Sequence, residues 1–560
     1  MNTNGVLSRN MLSLSSAQPA LSARIGAQEP SIMVDVVPSK SGEPVPVLFQ
    51  DDRKYYLHSR IDPEKEGRRF YDSSPYGGYL VFLGFGAGHH ILPYLKRNDI
   101  SGILIIDYDA ALFKSILAKI DLRPFFLDSR VRFLIEPQPE EIVKDMLDNY
   151  LPAVSGNFHL LQLRARVQSA PSRFNQAKEE IQRVLKSISE DYSVQSYFGK
   201  RWFINSLENL KVAEFSTTTL PPIRHALITA AGPSLELQLN ELKRLKSQGT
   251  LIATDTSLPF LLNHDILPDM VISIDCQHVT YHHFMSGYPE RVPLILDLAS
   301  PNHLTRQTDK LVFFTSGHPF SRYVNSNWRR FPFIDTSGGN VGHAAVSLAE
   351  ALGAQRISLF GMDFSFPNGK SYARGTYLYP FFQHTANRFL TTELSFMKLL
   401  FRNDSIIKIK DGNNFRYTTR PMISYKERLE QAFTHLNAKV EPMPGRGEPI
   451  RRHPGREEYR EKQMVSRLFS AGAAEEPWED FLRSYREALL LLPEASESLW
   501  DYKASLNKKQ RDILTTLYPA AAAMRREHEL IGLHRAGARI IPDVIDWSVA
   551  VIDSQLEALE

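Results

Sequence analysis

The chain has 560 residues, of which 43% are apolar and 23% are charged, and its formal net charge is +3. That length exceeds a single hydrophobic core and predicts about three domains of roughly 150–200 residues. The small net charge gives no reason to expect nucleic acid or an anionic membrane as a partner. A single cysteine, Cys276, excludes an internal disulfide framework and indicates a reducing compartment.

The N-terminal residues 1–30 are expected to be a flexible leader. They are rich in Ser and Ala and contain no continuous apolar segment of secretory length. No run of about 20 apolar residues appears later, so no membrane span is expected. These observations predict a cytoplasmic protein.

Residues 31–160 are predicted to form a Rossmann-like α/β domain. The stretch GGYLVFLGFGAGHH is typical of a buried strand followed by a glycine turn, formed by Gly84, Gly86 and Gly88. Asp107 ends the next strand about twenty positions later, which is the outline of a nucleotide-binding or S-adenosylmethionine-binding turn. A tight strand-to-helix turn needs glycine for steric reasons alone, and this structural interpretation is favoured over cofactor binding.

Two flanking regions are predicted to be helical. Residues 161–221 form a connector with an apolar stripe, and the Pro- and Thr-rich linker STTTLPPIR follows its helix. Residues 451–560 form an all-α C-terminal domain, in which PWEDFLRSYREALLLL shows an amphipathic pattern. The apolar stripes of that domain are expected to be core rather than a partner surface.

Residues 222–450 are the candidate catalytic domain. Short β-rich runs alternate there with helical segments, and each run finishes in Asp, Thr, Ser, Gly or His. Parallel sheets bind ligands in the crevice outside the carboxyl ends of their strands, so polar residues should collect there. This repeated pattern, rather than any single motif, indicates the site.

The joint AAGPSLEL in this domain combines glycine, proline and a hydroxyl where a strand gives way to a helix. Pro233 suits the first helical position, Gly232 permits close backbone approach, and Ser234 adds a hydroxyl beside the free amides. A helix N-terminus of this kind is a natural phosphate site. A simple capped turn explains the same residues equally well, and both interpretations stay open.

Further strand ends supply more polar residues: Thr254, Asp255, Thr256, Asp275, Ser337, Gly338, Gly339, Asn340, Gly361 and Asp363. Such ends in one sheet suit a nucleotide with ribose and phosphates. Asp side chains can hold ribose hydroxyls or Mg²⁺, while Ser, Thr and backbone amides hold phosphate. Mg²⁺ is the one cofactor that this pattern brings into consideration.

The segments AGPSL, ATDTSLPFLLNHDILPDMVISID, TSGGNVGHAAVSLAEALGAQRISLFGMDFSF and GKSYARGTY together resemble the motility-associated factor (Maf) glycosyltransferases of bacterial flagellin. Archaeal hydroxymethylpterin pyrophosphokinases share the same central domain, which is also similar to bacterial sialyltransferases. Upstream, LHSRIDPEKEGRRFYDS and FGKRWFINSLENL resemble the segments that flank this domain in the flagellin enzymes. The resemblance covers most of residues 50–450.

The resemblance implies a Rossmann-like N-terminal domain, a sialyltransferase-like central domain and transfer of a nonulosonic acid in support of flagellar assembly and motility. The donor would be a CMP-nonulosonic acid, and the acceptor would be Ser or Thr hydroxyls of flagellin. Sialyltransferases carry a GNGPS-type turn at the CMP donor, where this chain has Ala230-Ala231-Gly232-Pro233-Ser234 without the asparagine. The segments SGGN and FGMDF should frame the cytidine and phosphate.

The reaction needs a general base for the acceptor hydroxyl and groups that neutralise the developing phosphate charge. Asp255, Asp275 and His318 are the predicted catalytic set, with His278 as another candidate base. Two further residues, Tyr372 and Arg374, would steady a carboxylated sugar or the phosphate, the alternative being a solvated loop. Cys276 is expected to be a small buried filler.

Two other functions are considered beside glycosyl transfer. A pyrophosphokinase would move diphosphate from ATP to a pterin alcohol and use the aspartates as Mg²⁺ ligands. A flagellin-binding or assembly factor would have no catalytic activity. Flanking domains of more than half the chain favour a protein acceptor over a small-molecule kinase, and the several polar strand ends disfavour the binding factor.

Overall fold

The computed structural model describes residues 3–50, 53–402, 405–412, 414–455, 469–495, 499–531 and 539–557. The chain divides into two compact units rather than three domains. The first unit contains Met1–Lys200 and Arg486–Ala550, and the second contains Arg201–Tyr485 and Val551–Glu560.

The first unit begins with two helices, Thr3–Ala17 (α1) and Pro19–Gly26 (α2). Both bury apolar side chains in the core of the unit: Leu14, Leu21 and Ile25. Asn10 is fully buried and donates from Nδ2 to the carbonyl groups of Leu117 and Ile120, at 2.7 and 2.6 Å. The prediction of a flexible leader is wrong, because the apolar side chains of this Ser- and Ala-rich stretch find their partner surface only in the fold.

The first unit contains an antiparallel sheet in the order β1-β2-β3 and a parallel sheet in the order β6-β5-β4-β7. Every residue of β5 is buried, as expected of a central parallel strand covered on both faces. The elements after α2 are β1 (Val34–Pro38), β2 (Pro44–Gln50), β3 (Arg53–Tyr56), α3 (Pro63–Ser73), β4 (Gly78–Leu83), α4 (Leu92–Leu95), β5 (Ile100–Asp107), α5 (Ala110–Lys119), α6 (Arg123–Phe126), β6 (Val131–Ile135), α7 (Pro139–Asn149), α8 (Pro152–Ser155), β7 (Phe158–Gln162), α9 (Arg164–Ser169) and α10 (Pro171–Phe215). The part of α10 from Arg201 onward belongs to the second unit.

The glycine turn after β4 is filled by the chain itself. Asp107 Oδ2 accepts a hydrogen bond from the Phe85 amide at 2.7 Å, and Arg166 Nε donates to Asp107 Oδ1 at 2.9 Å. Both charged side chains are buried. A Cβ at Gly86 would lie 2.6 Å from His58 Nε2. Gly86 is therefore required by close packing, and the acidic residue of the motif is bound by an arginine of the same chain.

The second unit is built on a seven-stranded sheet in the order β12-β11-β10-β9-β8-β13-β17, with all neighbours parallel. Four of its strands are buried at every residue, which explains their continuous apolar runs. The elements are β8 (His225–Thr229), α11 (Ser234–Leu237), α12 (Leu239–Lys246), β9 (Thr250–Thr254), α13 (Leu258–Leu262), β10 (Met270–Ser273), β11 (Leu294–Asp297), β12 (Leu311–Phe314), α14 (Pro319–Asn327), α15 (Val341–Ala351) and β13 (Arg356–Phe360).

A smaller antiparallel sheet in the order β14-β16-β15 follows the last of these strands. Short 3-10 helices occupy Asp255–Ser257, His278–Phe284 and Asn302–Arg306, each after a strand of the large sheet. The remaining elements of this part are β14 (Phe366–Pro367), α16 (Leu378–Thr385), α17 (Thr392–Leu400), β15 (Ile406–Asp411), β16 (Asn414–Thr419), α18 (Arg420–Phe433) and β17 (Lys439–Pro442).

The C-terminal region is helical, which confirms that part of the predicted fold class. Its helices are α19 (Trp478–Leu490), α20 (Leu499–Ser505), α21 (Lys508–Leu530) and α22 (Ile540–Glu557). They do not form a domain of their own, because Arg486–Ala550 groups with the N-terminal unit. Among the described residues, no helix has the length and apolar character needed to cross a bilayer.

Candidate functional site

The order of the large sheet locates the crevice in which ligands bind to α/β folds. Strands β8 to β12 follow one another outward on one side, whereas β13 lies on the other side of β8. The direction of strand addition therefore reverses between β8 and β13. Ligands of open parallel sheets bind outside the carboxyl ends of the strands at such a switch point. The predicted joint at Gly232 and the predicted segment FGMDF follow these two strands.

The Gly-Pro-Ser joint is closed by a carboxylate of the same chain. The Ser234 amide donates to Asp363 Oδ2 at 2.8 Å, and Ser234 Oγ accepts from the Arg446 amide at 2.8 Å. Ser234 is 1% exposed and Asp363 is 6% exposed. Pro233 directly precedes α11, which has only four residues. The Ser234 amide, which the phosphate-site interpretation assigns to a ligand, is therefore already occupied by Asp363.

The two glycines of this joint are required by close packing. A Cβ at Gly232 would lie 2.5 Å from Asp363 Oδ2. Gly361 has a φ of +64° and donates its amide to Gln238 Oε1 at 2.8 Å. Burial raises the pKa of Asp363, and hydrogen bonds from Ser234 and from the Gly447 backbone oppose that rise. Three predicted ligand residues, Gly232, Gly361 and Asp363, thus hold the joint together.

The predicted SGGN segment forms the start of α15. Asn340 Oδ1 accepts the His343 amide at 3.0 Å and so caps the helix. Gly338 is buried against the His343 ring, where a Cβ would collide with Nδ1. Helix capping explains Asn340 and close packing explains Gly338, and neither explanation needs a ligand.

The same segment also faces the switch point. A Cβ at Gly342 would lie 2.9 Å from Met362 Cε, so the start of α15 packs beside the end of β13. Ser337 and Gly339 are exposed, and Gly339 has a φ of +74°. The first amides of a helix have no partner within the helix. This loop therefore offers a hydroxyl and backbone amides at the crevice.

Asp255 is held in place after β9 by hydrogen bonds to both carboxylate oxygens. The Thr256 amide donates to Oδ1 at 2.6 Å, and Ser273 Oγ donates to Oδ2 at 2.6 Å. Asp255 is only 3% exposed. The hydroxyls of Thr254 and Thr256 lie 3.1 Å apart, and Thr254 is fully buried. Thr254 thus supports the strand end, while Thr256 is partly exposed.

Asp275 lies after β10, the strand next to β9. Its Oδ1 accepts the Gln277 amide at 2.9 Å. Burial raises the pKa of Asp275, the Asp255 carboxylate adds to the rise, and the Gln277 hydrogen bonds oppose it. The structure thus brings together the two predicted catalytic carboxylates, and Asp275 is a better proton acceptor than an ordinary Asp.

The phenol groups of Tyr372 and Tyr377 belong to the same cluster as the Asp255 and Asp275 carboxylates. Burial raises the pKa of Tyr377 to about 12, and Tyr372, Asp255 and Asp275 all act in the same direction. Arg402 opposes the rise for both tyrosines, so its guanidinium lies within electrostatic reach of both. This cluster combines negative carboxylates, phenol donors and one guanidinium, which suits a ligand that carries both hydroxyls and phosphate.

His283 is a further member of the cluster that sequence reasoning missed. It is 7% exposed, and its ring lies 4.5 Å from the ring of Tyr377. Burial lowers its pKa, while Asp255 and Asp275 oppose the decrease. Its Nδ1 has no hydrogen-bond partner among the residues that the structure describes. The stretch HVTYHHF after β10 was the available signal for His283. Tyr377 ends the segment GKSYARGTY, whereas nothing local distinguishes Arg402.

His318 lies apart from this cluster. It follows β12, and β11 separates that strand from β10. Its Nε2 lies 3.9 Å from Asp297 Oδ2, and its ring centroid is 4.0 Å from that of Trp202. Burial lowers the pKa of His318. The prediction grouped it with the two aspartates, and the strand order corrects that grouping.

Three other predicted residues have local roles. The Arg374 amide donates to Glu236 Oε1 at 2.5 Å, and its side chain is exposed. His278 pairs with His303 through their Nδ1 atoms at 3.1 Å. Burial raises the pKa of Cys276 to about 12, so its thiol stays protonated, in agreement with a buried filler.

The carboxylates do not form a ready ligand set for Mg²⁺. Both oxygens of Asp255 accept hydrogen bonds, and Asp275 accepts from the Gln277 amide and, at 3.4 Å, from its Nε2. Within the described ranges, no group of three or more His, Cys, Asp or Glu side chains could hold a metal ion.

Comparisons with known proteins agree with this architecture. Residues 200–369 match the family described as MptE-like, 6-hydroxymethylpterin diphosphokinase MptE-like. The structure matches that of the MAf glycosyltransferase from Magnetospirillum magneticum AMB-1 with a TM-score of 0.59 and 15% identity, over 100% of this chain and 96% of that chain. The whole chain has the fold of a Maf glycosyltransferase, and its central region is similar to the MptE-like family.

Two proteins of Treponema pallidum (strain Nichols), both described as uncharacterized, are similar to part of the chain. One is 32% identical over 167 residues, which are 29% of this chain and 80% of that protein. This chain belongs to the family of that protein. The other is 37% identical over 153 residues, which are 27% of this chain and 54% of that protein.

The MptE-like region of this Maf-fold chain contains most of the candidate site. Residues 200–369 include strands β8 to β13 and the residues Asp255, Asp275 and His283. Tyr372, Tyr377 and Arg402 lie beyond it. The cluster therefore combines the MptE-like sheet with a segment outside the matched region.

Proposed function

We propose that this chain is a glycosyltransferase that moves a nonulosonic acid from a CMP-activated donor to Ser or Thr hydroxyls of flagellin. The observation that carries the proposal is the correspondence of the whole chain, both units included, with the Maf glycosyltransferase fold. The MptE-like match, in contrast, accounts only for residues 200–369.

The CMP group would bind at the switch point between β8 and β13. The exposed Ser337 and the first amides of α15 would meet the nucleotide there. The Gly-Pro-Ser joint would shape this pocket without binding phosphate directly, because Asp363 occupies the Ser234 amide.

The sugar would then extend along the sheet edge toward Asp255 and Asp275. Adjacent strands lie about 4.8 Å apart, so the ends of β8, β9 and β10 form a continuous floor for a nucleotide sugar. Tyr372 and Arg402 would lie beside the phosphate that leaves. Their phenol and guanidinium can donate to the oxygen on which negative charge develops.

Asp275 would act as the general base. The acceptor hydroxyl oxygen attacks the anomeric carbon, its proton passes to Asp275, and the bond from that carbon to the CMP phosphate oxygen breaks with its electron pair. CMP leaves as the anion, and the transition state has oxocarbenium character. Asp255 would position the Asp275 carboxylate and raise its proton affinity.

A second candidate function is diphosphate transfer from ATP to a hydroxymethylpterin. The description of the family that matches residues 200–369 favours it. In phosphoryl transfer the aspartates would need Mg²⁺, supplied with the nucleotide, to neutralise the phosphates.

Nucleotide binding distinguishes these functions. We expect the melting temperature of the full chain to rise with CMP and not with ATP plus Mg²⁺, because a ligand stabilises the state that it binds. A rise with ATP plus Mg²⁺ alone would favour the diphosphokinase. No rise with either nucleotide would favour a binding factor without catalytic activity.

Activity tests the assignment of the base. Flagellin expressed with the Asp275→Asn variant should lose the mass increase of the attached sugar, with transfer reduced by about a hundredfold or more. Asp265→Asn is the matched control, since Asp265 is exposed, has a φ of +56° that Asn tolerates, and lies outside the cluster. An unchanged flagellin mass increase in Asp275→Asn would refute the assignment.

A further inference from the structure

A cavity of about 630 Å³ lies in the second unit, beside the end of β10. Its walls come from α10, from the segment that begins at Cys276, and from the 3-10 helix Asn302–Arg306. Neither the residues at the β8 and β13 ends nor the tyrosines of the cluster line it. It lies beside the crevice assigned to the nucleotide, since Gln277, which donates its amide to Asp275, is part of its wall.

The lining of this cavity carries an excess of positive charge. Arg201 and Arg306 both line it and are exposed. Neither guanidinium forms an ion pair with any carboxylate in the described part of the chain. Glu208 is the one lining carboxylate among the described residues, and burial raises its pKa. With two guanidiniums and one carboxylate, the lining has a net positive charge that attracts anions.

His278 and His303 form a hydrogen-bonded pair in the wall of the cavity. His278 Nδ1 and His303 Nδ1 lie 3.1 Å apart, so one ring donates and the other accepts. Burial, with His278 and Arg306, lowers the pKa of His303, which keeps this ring neutral. When His278 donates, the proton of His303 is on Nε2. That atom is buried and has no partner in the described ranges.

The walls are held together by side-chain amides. Asn205 Nδ2 donates to the Cys276 and Ala299 carbonyl oxygens at 3.1 and 2.9 Å. Asn302 Nδ2 donates to the Glu208 carbonyl oxygen at 3.2 Å. These bonds join α10 to the segments after β10 and β11, so the cavity is formed without a ligand.

We infer that this cavity binds the oxyanion of a small molecule, a carboxylate or a phosphate, between Arg201 and Arg306. The planar guanidiniums match the two oxygens of such a group. An acidic sugar and a phosphate monoester share this chemistry. The inference does not depend on glycosyl transfer, since it concerns binding at residues outside the cluster.

Calorimetric titration of the full chain tests this inference. The probes are inorganic phosphate, N-acetylneuraminate and the methyl ester of N-acetylneuraminate, which lacks the charge. We expect at least one of the two anions to bind, and the double variant Arg201→Gln, Arg306→Gln to weaken its binding by about tenfold or more. The ester should bind more weakly than the acid by a similar factor.

Arg291→Gln is the matched control, because Arg291 is exposed and does not line the cavity. Its affinity should equal that of the unaltered chain. Tighter binding of phosphate would identify a phosphate monoester as the ligand class, and tighter binding of the sugar acid would identify an acidic sugar. Binding of neither anion would overturn the inference. So would equal affinity in the double variant, or an equal loss in the control.

Discussion

At the scale of single residues, Asp275 is the proposed general base, and its partial burial destabilises the folded state when the carboxyl group is ionised. It lies at a partly buried strand end, and the carboxylate of Asp255 adds to the rise of its pKa. A carboxyl group whose pKa is raised by folding destabilises the folded state when it is ionised. Such groups persist where function requires them.

Asp275→Asn should therefore stabilise the second unit at neutral pH. The folded state holds the proton of Asp275 more tightly than the unfolded state, whose pKa is about 3.9. Stability is thus lost as pH rises through the folded pKa, and the loss persists above it. We expect the variant to melt about 2 °C higher than the unaltered chain at pH 7.5.

The difference should narrow as pH falls through the raised pKa of the folded state, because the Asp275 carboxyl group then becomes neutral in the folded protein. Melting curves of both proteins at several pH values between neutral and mildly acidic provide the measurement. The exposed Asp265→Asn variant should show no such pH-dependent gain. A gain for Asp275→Asn that stays constant with pH would contradict the explanation.

Asp363 shows how a residue pattern can be satisfied internally. The joint AAGPSLEL has the features of an anion site, and an anion does lie against the Ser234 amide. That anion is the Asp363 carboxylate, which follows the neighbouring strand β13. Which group meets the Ser234 amide depends on which strand lies beside β8, and the joint by itself does not contain that information.

At the scale of elements, α1 shows how an unremarkable composition can hide a packed helix. Asn10 satisfies the carbonyl groups of Leu117 and Ile120, which lie at the end of α5. Buried backbone groups need such partners, because a group without one costs free energy. The helix thus completes the first unit.

Asn10→Ala should lower the free energy of unfolding of the first unit by about 2–4 kcal/mol, because two buried carbonyl groups lose their donor. Leu12→Ala is the control on the same helix. Leu12 is 70% exposed, so its loss should change the free energy by about 0.5 kcal/mol or less. Urea unfolding monitored by circular dichroism gives both values. Equal effects of the two substitutions would show that α1 is not packed as described.

At the scale of the whole molecule, the chain forms two compact units, and the first is made of segments from both ends. Arg486–Ala550 returns to the unit that begins the chain. Because these helices follow the central domain along the sequence, they were predicted to form a third domain. Composition and periodicity identify a helix, but they do not identify the unit that its apolar face joins.

We expect calorimetry to resolve two unfolding transitions, since chains with several compact units commonly depart from two-state behaviour. Asn10→Ala should lower mainly one transition. Gly232→Ala should lower mainly the other, because its Cβ would lie 2.5 Å from Asp363 Oδ2. Gly317→Ala is the matched control, as the nearest atom to its Cβ would be 3.9 Å away. A single transition lowered equally by both substitutions would contradict independent units.

The sequence by itself determined the α/β class, the helical C-terminal region and the polar ends of the central strands. These features depend on local periodicity and on the chemistry of adjacent residues, and both can be recognised from the sequence. Asp255 and Asp275 were found in this way, since each follows an apolar run directly.

Only the tertiary structure decided which of those ends meet. The sheet order brings Asp255 and Asp275 onto adjacent strands and leaves His318 beyond β11, while Tyr377 and Arg402 approach the carboxylates from a segment far along the chain. Such contacts join residues distant in sequence, and they form because the packed core fixes the order of its strands. No local pattern encodes that order.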